Sequence, residues 1–494
     1  MANALGVGSK LAARIESDNG LINAVYPTTV ALADDEEVHL DGYDLVPFLS
    51  EGIEEIHQYE TDETLDGTPA VNNMDRVALE GGGPIQTQGY YDGLDALIAC
   101  ALGFENPEAT ASPDSINPTA LAVVTGGAGQ TASNWKDNGT PFTSADVGRF
   151  IRVTTGAGEG QVRRISAYVD SGEVTITPNW DTNPASTNVG EMDQEFEHLF
   201  EMTSRMDDML FADLDDDNGF TYPTGGVGGA TDLIIRRLTV GNLKWSTTPW
   251  IWRCCYVNGM SINFSSKSGL SISFDLIPFD LDRSSSTNGA ASAADWAFSE
   301  SPLFTPSQNE RILFNHLGGS GFLRIDAFAN GAMTSADEYG ISAFTINLNN
   351  ALKADDQDSN STPYRVQPNR GGFREVTGSF TLPRYGADTF FTWADAATIL
   401  QSHIKFVGST IASTARLFEI FLGSFKITKP SAPISGPNVV PQTFEFRSLV
   451  PVSAPTFIAS GNPTQIMTSP RSELMIRTTN QNPFNMFRDQ NKEY

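Results

Sequence analysis

Between residues 234 and 450 apolar and polar side chains alternate with a period of two, interrupted at short intervals by glycine, serine and asparagine. That period places one set of side chains on each face of a strand, so the segment reads as a succession of β-strands. The candidates are IIRRLTVG, GMSINFSS, LSISFDLI, GFLRIDAF, ISAFTINLN, REVTGSFTL, HIKFVGS, RLFEIFLG, SFKITKP and TFEFRSLV. Two of them, 261–265 and 270–276, are joined by Ser266-Lys267-Ser268-Gly269 and predict a hairpin with one polar face. A helical period shows in few places. In GLDALIACALG, Leu94, Leu97, Ile98 and Ala101 share a face and Gly103 stands where a helix stops. Helical pieces are also expected at 291–298 and 387–400, the latter presenting Phe390, Trp393, Ala394 and Ala397. Residues 191–214 fit both periods and are read as a strand to 202 followed by a helical turn.

Outside this region the pattern weakens. Residues 1–25 read as an arm with a short amphipathic piece at 11–15, followed by an acidic cluster, Asp34, Asp35, Glu36 and Glu37. A long polar stretch, read as loop, runs over 51–73; within it TDETLDGTPAVNN, 61–73, has neither period and reads as a long exposed loop, a kind that usually binds something. Residues 107–190 form a separable block whose strands, at 150–155, 162–168 and 173–177, predict a small antiparallel β module. The tail after Pro463 is polar and is expected to pack on a neighbour or stay loose. An order of polar loop, glycine-containing strand and helix at 51–103 recurs weakly at 347–402, as pseudo-symmetric units around one core would give.

Composition narrows the function. The 494 residues carry 60 Asp and Glu against 31 Lys and Arg, a formal charge of −29 that argues against a surface built to wrap nucleic acid. With 44 Gly and 27 Pro the chain is rich in turns, and its 30 Phe suit sheets and interfaces. Cys100, Cys254 and Cys255 make no disulfide framework and are read as reduced. No secretory signal and no membrane span are expected.

Catalytic, cofactor and metal sites find no support. The loop DLDDDNG spaces Asp213, Asp215 and Asp217 as in a calcium loop, but Asn218 stands where glycine belongs and Thr224 where glutamate belongs. His39, His57, His198, His316 and His403 are scattered singly, and His198 reads as a packed structural residue. The glycine runs at 126–129 and 225–229 lack the Lys-Ser/Thr of a phosphate loop. Neither Arg163-Arg164 nor Arg236-Arg237 makes a basic patch, because neighbours in a strand face opposite ways. Trp250 and Trp252 share a face that suits a buried contact or a sugar platform.

Several segments together resemble the tail tube proteins (major tail proteins) of long-tailed bacteriophages. They are GSKLAARIESDNG at 8–20; the run 51–103 ending in GLDALIACALG; VNGMSINFSSKSGLSISFDLIPFDLD within 252–282; ISAFTINLNNALKADD followed by REVTGSFTLPRYGADTFFTW; and the inserted DVGRFIRVTTGAGEGQVRRISAY. The resemblance implies a mainly β protein, an antiparallel sandwich or barrel with a flanking short helix and an inserted β module. It divides the chain into 1–106 (arm and first part of the tube domain), 107–190 (module), 191–430 (main domain) and 431–494 (C-terminal extension). It further implies a non-enzymatic virion protein without cofactor, assembled in the host cytoplasm into hexameric rings that stack as the tail tube. The tape measure protein and viral DNA would occupy the lumen, and the tail terminator and baseplate proteins would cap the ends, with no membrane involved. Six copies at −29 would give an acidic channel along which DNA slides. The hairpin 259–276 would line the lumen and join subunits, the loops 60–72 and 353–368 would order on stacking, and the module or the region after Pro430 would decorate the outside. Another tail ring protein (terminator, stopper or baseplate hub) and a carbohydrate-binding β module are the alternative readings.

Overall fold

A computed structural model gives the fold. It describes residues 9–15, 45–61, 74–105, 114–123 without 117, 131–155, 161–184 without 178, 181 and 182, 189–202, 238–243, 250–282 without 279, 310–353 without 318 and 319, 369–459 without 435–438, 463, 472–483 and 486. The described elements are overwhelmingly strands, and they build an antiparallel β-sandwich, part of it a curled half-barrel, with short helices at its flank.

The first layer runs, neighbour to neighbour, through Glu54–Thr61, Met74–Gln88, Gly269–Ile277, Trp250–Ser265, Ala343–Asn349, Glu375–Leu382, Gln442–Ser448 and Ala415–Ser431, every pair antiparallel. Ala415–Ser431 is long enough to serve both layers. Its residues 425–431 close the first layer, while 415–422 lie between Leu400–Thr410 and Leu474–Asn480 in the second. The second layer continues to Phe322–Ala327 on one side and to Phe196–Met202 and Gly103–Glu105 on the other. Trp250–Ser265 also changes partners along its length: residues 250–255 pair with Leu238–Leu243, which pairs with Lys10–Ile15.

Alternation decides where the core sits. Met260, Ile262 and Phe264, then Phe344, Ile346 and Leu348, then Val376, Phe380 and Leu382 all turn to the buried side. The Phe264 ring lies 5.3 Å from Phe344 in its own layer and 5.4 Å from Phe406 in the other, which ties the two sheets together. Each such ring removes roughly 1.5–3 kcal/mol worth of apolar surface from water. The helix Asp95–Leu102 is buried nearly all round, more than an amphipathic helix would be, and ends on Gly103 at φ 98° as its sequence predicts.

Residues 119–193 contribute a separate six-stranded sheet, including Phe150–Val153, Val162–Asp170 and Glu173–Thr177. It has its own core around Trp135, Ile151, Ile165 and Trp180. Its Phe150 meets Phe196 of the main sandwich at 6.2 Å.

Five readings of the sequence change. Lys10–Ile15 is a buried strand, not a free amphipathic arm; Leu11, Ala12, Ala13 and Ile15 are all buried, so no polar face marks it. Glu54–Thr61, read as loop, is a strand paired with residues 74–82, its polar composition reflecting an exposed edge. The two predicted strands at 416–423 and 424–430 are one. Within the polar tail, Leu474–Asn480 is fully buried between two strands. Its polar groups are met from far away in sequence: Asn480 donates to both Asp95 carboxylate oxygens at 3.0 Å, and Asn482 to one of them at 3.0 Å. The helix expected over 387–400 is shorter, Thr389–Asp395, because Ala397 turns at φ 50° and Leu400 already begins a strand. The strand expected to 202 ends at Met202, while the helical turn after it, the helix at 291–298, the acidic cluster 34–37 and the loops 62–73 and 354–368 lie outside the described residues.

His198 is structural, as read. Its Nδ1 lies 2.7 Å from Glu105 and its Nε2 2.9 Å from the Asn482 carbonyl, with both side chains fully buried. Burial alone would push the imidazole down, but the hydrogen bond and charge of Glu105 outweigh it and hold His198 up, from 6.5 to about 9. Burial also raises Glu105. The raised imidazole favours its charged form in the folded state, so the contribution of His198 is complete below about pH 6.5 and is lost as pH rises through about 9. Urea midpoints of the unassembled subunit are expected to fall between those values, and His198→Gln to flatten the fall. An unchanged slope in the variant would refute the assignment.

Candidate functional site

Opposite the core, the first layer presents a continuous polar face. Strand parity puts Ser261, Asn263 and Ser265 there, beside Ser271, Ser273 and Asp275, then Pro84, Gln86 and Gln88. On the other side come Thr345 and Asn347, Thr377, Ser379 and Thr381, then Thr443, Glu445 and Arg447, and at the edge Lys426, Lys429 and Ser431. None of these side chains is in the buried class. A sheet with one apolar and one uniformly polar face must cover the first and keep the second wet.

The face is laced across its strands. Ser261 Oγ donates to Asn347 Oδ1 at 2.6 Å, Ser50 Oγ to Gln86 Oε1 at 3.2 Å, and the Thr381 and Thr443 hydroxyls meet at 3.1 Å. Arg447 pairs with Glu375 at 3.1 Å and Lys429 with Glu445 at 3.3 Å. Short hydroxyl and amide side chains held by one another leave few groups free to grip a passing ligand. Charge is mixed with a small acidic excess: Glu54, Glu60, Asp275, Glu375 and Glu445 stand against Lys426, Lys429 and Arg447. The strongly acidic surface expected from the net charge is therefore not on this face of the described residues.

The hairpin singled out in the sequence lies in the middle of the face, with Gly269 at φ 83° in its turn. Both its edges are occupied within the chain, by residues 83–88 on one side and by Ala343–Asn349 on the other, so it cannot be the strand that joins subunits. What the sequence did not single out is that Glu375–Leu382 and Gln442–Ser448 extend the same face; their Thr/Ser alternation was the available signal.

The other residues weighed for chemistry are structural where described. Arg163 is fully buried and donates to the carbonyls of Asn179 and Val162, each at 2.8 Å. Trp252 is in the core and Trp250 packs against it. Cys100 and Cys255 are buried. His403 and His316 sit beside Glu419 at 3.0 Å and Glu310 at 3.1 Å, and His57 is 3.5 Å from Glu55. Among the described residues no three His, Cys, Asp or Glu side chains gather as a metal site, and no helix is long and apolar enough to cross a membrane. The Asp213–Asp217 loop, His39, the Cys254 side chain, the glycine runs at 126–129 and 225–229, and Arg236-Arg237 lie outside the described residues.

Comparison with known proteins adds the family. The profile described as phage tail tube protein matches residues 9–448, which takes in the whole polar face and both layers except for the strand Leu474–Asn480. Among solved structures, a chain from the virion of a native gene transfer agent particle matches with 17% identity and a TM-score of 0.19, over 29% of this chain and 98% of its own. A search of curated proteins finds no match. With its mainly β architecture and its match along most of its length, the chain belongs to the phage tail tube protein family, and is a structural, non-catalytic protein of the virion tail.

Proposed function

We propose that the chain polymerises into stacked rings, each made of six tube folds, and that the polar face of its first layer paves the channel for genome delivery. The observation that supports this is the face itself, eight adjacent strands long, wet on one side and core on the other. A passing duplex meets hydroxyls, amides and a small excess of carboxylates, so no run of cations holds its phosphates and it slides. The tape measure protein would fill the channel before DNA does, with the terminator and baseplate proteins at its ends and assembly in the host cytoplasm. The six-stranded module would stand outside the channel.

Cysteine labelling of assembled tubes tests the reading. Cysteines replacing Ser273, Thr345 and Thr377 are expected to react with a small maleimide but to lose more than about tenfold in rate with a polymer-linked one, since the wall excludes it. A cysteine replacing Tyr168 of the module is expected to react with both. Equal access of the bulky reagent to Ser273→Cys and Tyr168→Cys would place the polar face outside and overturn the proposal.

A further inference from the structure

We infer that the chain is two tandem copies of one tube fold, and that rings close by pairing of the edge strand at 50–56 in one chain with the edge at 429–434 in the next. A six-fold ring then contains three chains. The count of three rests on the six-fold ring proposed above; the pairing does not.

Strand pairings repeat residue for residue. In the first copy Ile15 faces Leu238, Leu238 faces Cys255, and the register then slips so that Val240 faces Trp252. In the second copy Ala327 faces Leu400, Leu400 faces Phe425, and the slip brings Ser402 opposite Leu422. A second irregularity recurs as well, between Val257/Leu276 and Gly259/Asp275 in one copy and between Ile427/Phe446 and Lys429/Glu445 in the other. Leu276 then faces Gly83, and Phe446 faces Gly378. Ser50 and Glu54 face Gln86 and Gly82 as Ala343 and Asn347 face Thr381 and Thr377.

Even the isolated bridge Ala12–Leu45 has its counterpart in Arg324–Glu338. The Val46 N–H bonds the Leu11 carbonyl at 2.9 Å, and the Tyr339 N–H bonds that of Leu323 at 2.9 Å. In each copy a helix follows, and a left-handed residue ends it, Gly103 at φ 98° and Ala397 at φ 50°. Bulges placed alike in two sets of strands are features of one ancestral fold, because each costs ladder hydrogen bonds and none is required by alternation. The weak echo between 51–103 and 347–402 is the sequence trace of this.

Duplication shows how copies join, because one junction is inside the chain. The hairpin edge of the first copy takes the opening strand of the second, with Phe264 opposite Phe344 and Ser261 opposite Asn347. Carried over by the equivalences, residues 429–434 of the second copy face residues 56–51 of a first copy, and only another chain can supply that. No strand covers either edge among the described residues. Phe264 is 3% exposed, whereas Ile434, its equivalent, is 79% exposed and waits for the same cover. Without that cover the second hairpin leaves the ladder at Ser431 and Thr443, while the first is paired to Ser265 and Gly269. The charges are complementary, Glu54 on one edge and Lys426 and Lys429 on the other. Pro430 replaces Met260 and removes one N–H donor from this junction, which blunts the edge against unrelated strands and leaves Ala432 and Ile434 to donate.

Two measurements test this. The unmodified protein, assembled and imaged by cryo-electron microscopy with native mass spectrometry of single rings, is expected to give three chains, about 160 kDa from three copies of 53.4 kDa. Six chains per ring would overturn the inference and leave the tube reading intact; closed three-chain rings that never stack would support it and count against the tube. The double variant Glu54→Cys with Ser431→Cys places two cysteines opposite each other in a non-hydrogen-bonded pair, within disulfide reach. On oxidation it is expected to give a ladder ending at three chains. Its internal equivalent, Ser261→Cys with Asn347→Cys, is expected to close within one chain. Formation of the internal disulfide without the intermolecular one would overturn the pairing.

Discussion

Replacing Gly378 with alanine is expected to cost the subunit about 3 kcal/mol, enough to leave little of it folded at ambient temperature in moderate urea. A Cβ at this position runs into the Thr345 backbone carbonyl and stands 2.6 Å from the Phe446 ring. Neither neighbour can yield. Thr345 is held in the ladder between Glu375–Leu382 and Trp250–Ser265, and Phe446 is stacked on Phe380 at 5.0 Å inside the core. Gly83→Ala is expected to cost at least as much, since its Cβ meets the Gly52 carbonyl, lies 2.9 Å from Ile53 Cα, and would sit on a residue at φ +151°. Gly340→Ala and Gly386→Ala are the controls: a Cβ there meets nothing within 4 Å, and each is expected within about 0.5 kcal/mol of wild type. Urea denaturation of the unassembled protein reads all four. A wild-type midpoint for Gly378→Ala would show that the two strands do not approach as described.

The second large effect is expected at Glu419. Its carboxylate is fully buried and accepts from Arg477 Nε at 2.6 Å and from His403 Nε2 at 3.0 Å, with Lys405 at 3.5 Å. Glu419→Ala leaves the largely buried Arg477 guanidinium without its closest partner and is expected to destabilise by about 3–5 kcal/mol. Glu419→Gln keeps the shape and one acceptor and should cost less. Glu445→Ala, which breaks only the exposed pair with Lys429, is expected to cost under about 1 kcal/mol. Burial opposes ionisation of Glu419, but the His403 hydrogen bond and the Arg477 charge win and bring it down from 4.5 to about 2. Its folded value is therefore below its unfolded one. The stability it contributes is complete above about pH 4.5 and is lost as pH falls toward about 2. Chemical denaturation across that range should show a steep acid loss in wild type that Glu419→Gln lacks. Equal acid profiles would remove Glu419 from the account.

Alternation made the strands of the second copy legible, because Phe344, Ile346 and Leu348 point one way and Thr345 and Asn347 the other. It also gave the hairpin at 261–276 and the three module strands named from it. It failed where both faces of a strand are buried. Leu474–Asn480 reads as a polar tail because Thr478 and Asn480 are buried against Asp95, a partner nearly the whole chain away. Lys10–Ile15 failed for the opposite reason, having apolar neighbours on both sides. The polar face was legible only in part, since each strand carries its hydroxyls visibly but the order of strands does not follow the order of the chain. Duplication was faint because structurally equivalent positions have diverged in kind, Glu51 against Phe344 and Asn242 against Ile404, while the backbone irregularities between them have not.

The six-stranded module enters and leaves the sandwich at one place, for Thr119 and Met192 face each other on adjacent strands. It lies, with Gly103–Glu105 and Phe196–Met202, in the interval between the helix Asp95–Leu102 and the strand Leu238–Leu243, which the other half of the molecule crosses from Asp395 to Leu400 directly. The module is mounted on the paired residues 114–115 and 196–197, and the connection at 396–399 carries no counterpart of them. A foreign domain whose termini lie side by side is expected to replace the module there without lengthening any strand of the sandwich. In the tube proposed above, with the module on its outer side, such a graft would make the exterior a regular display lattice whose cargo is chosen independently of what passes through the inside.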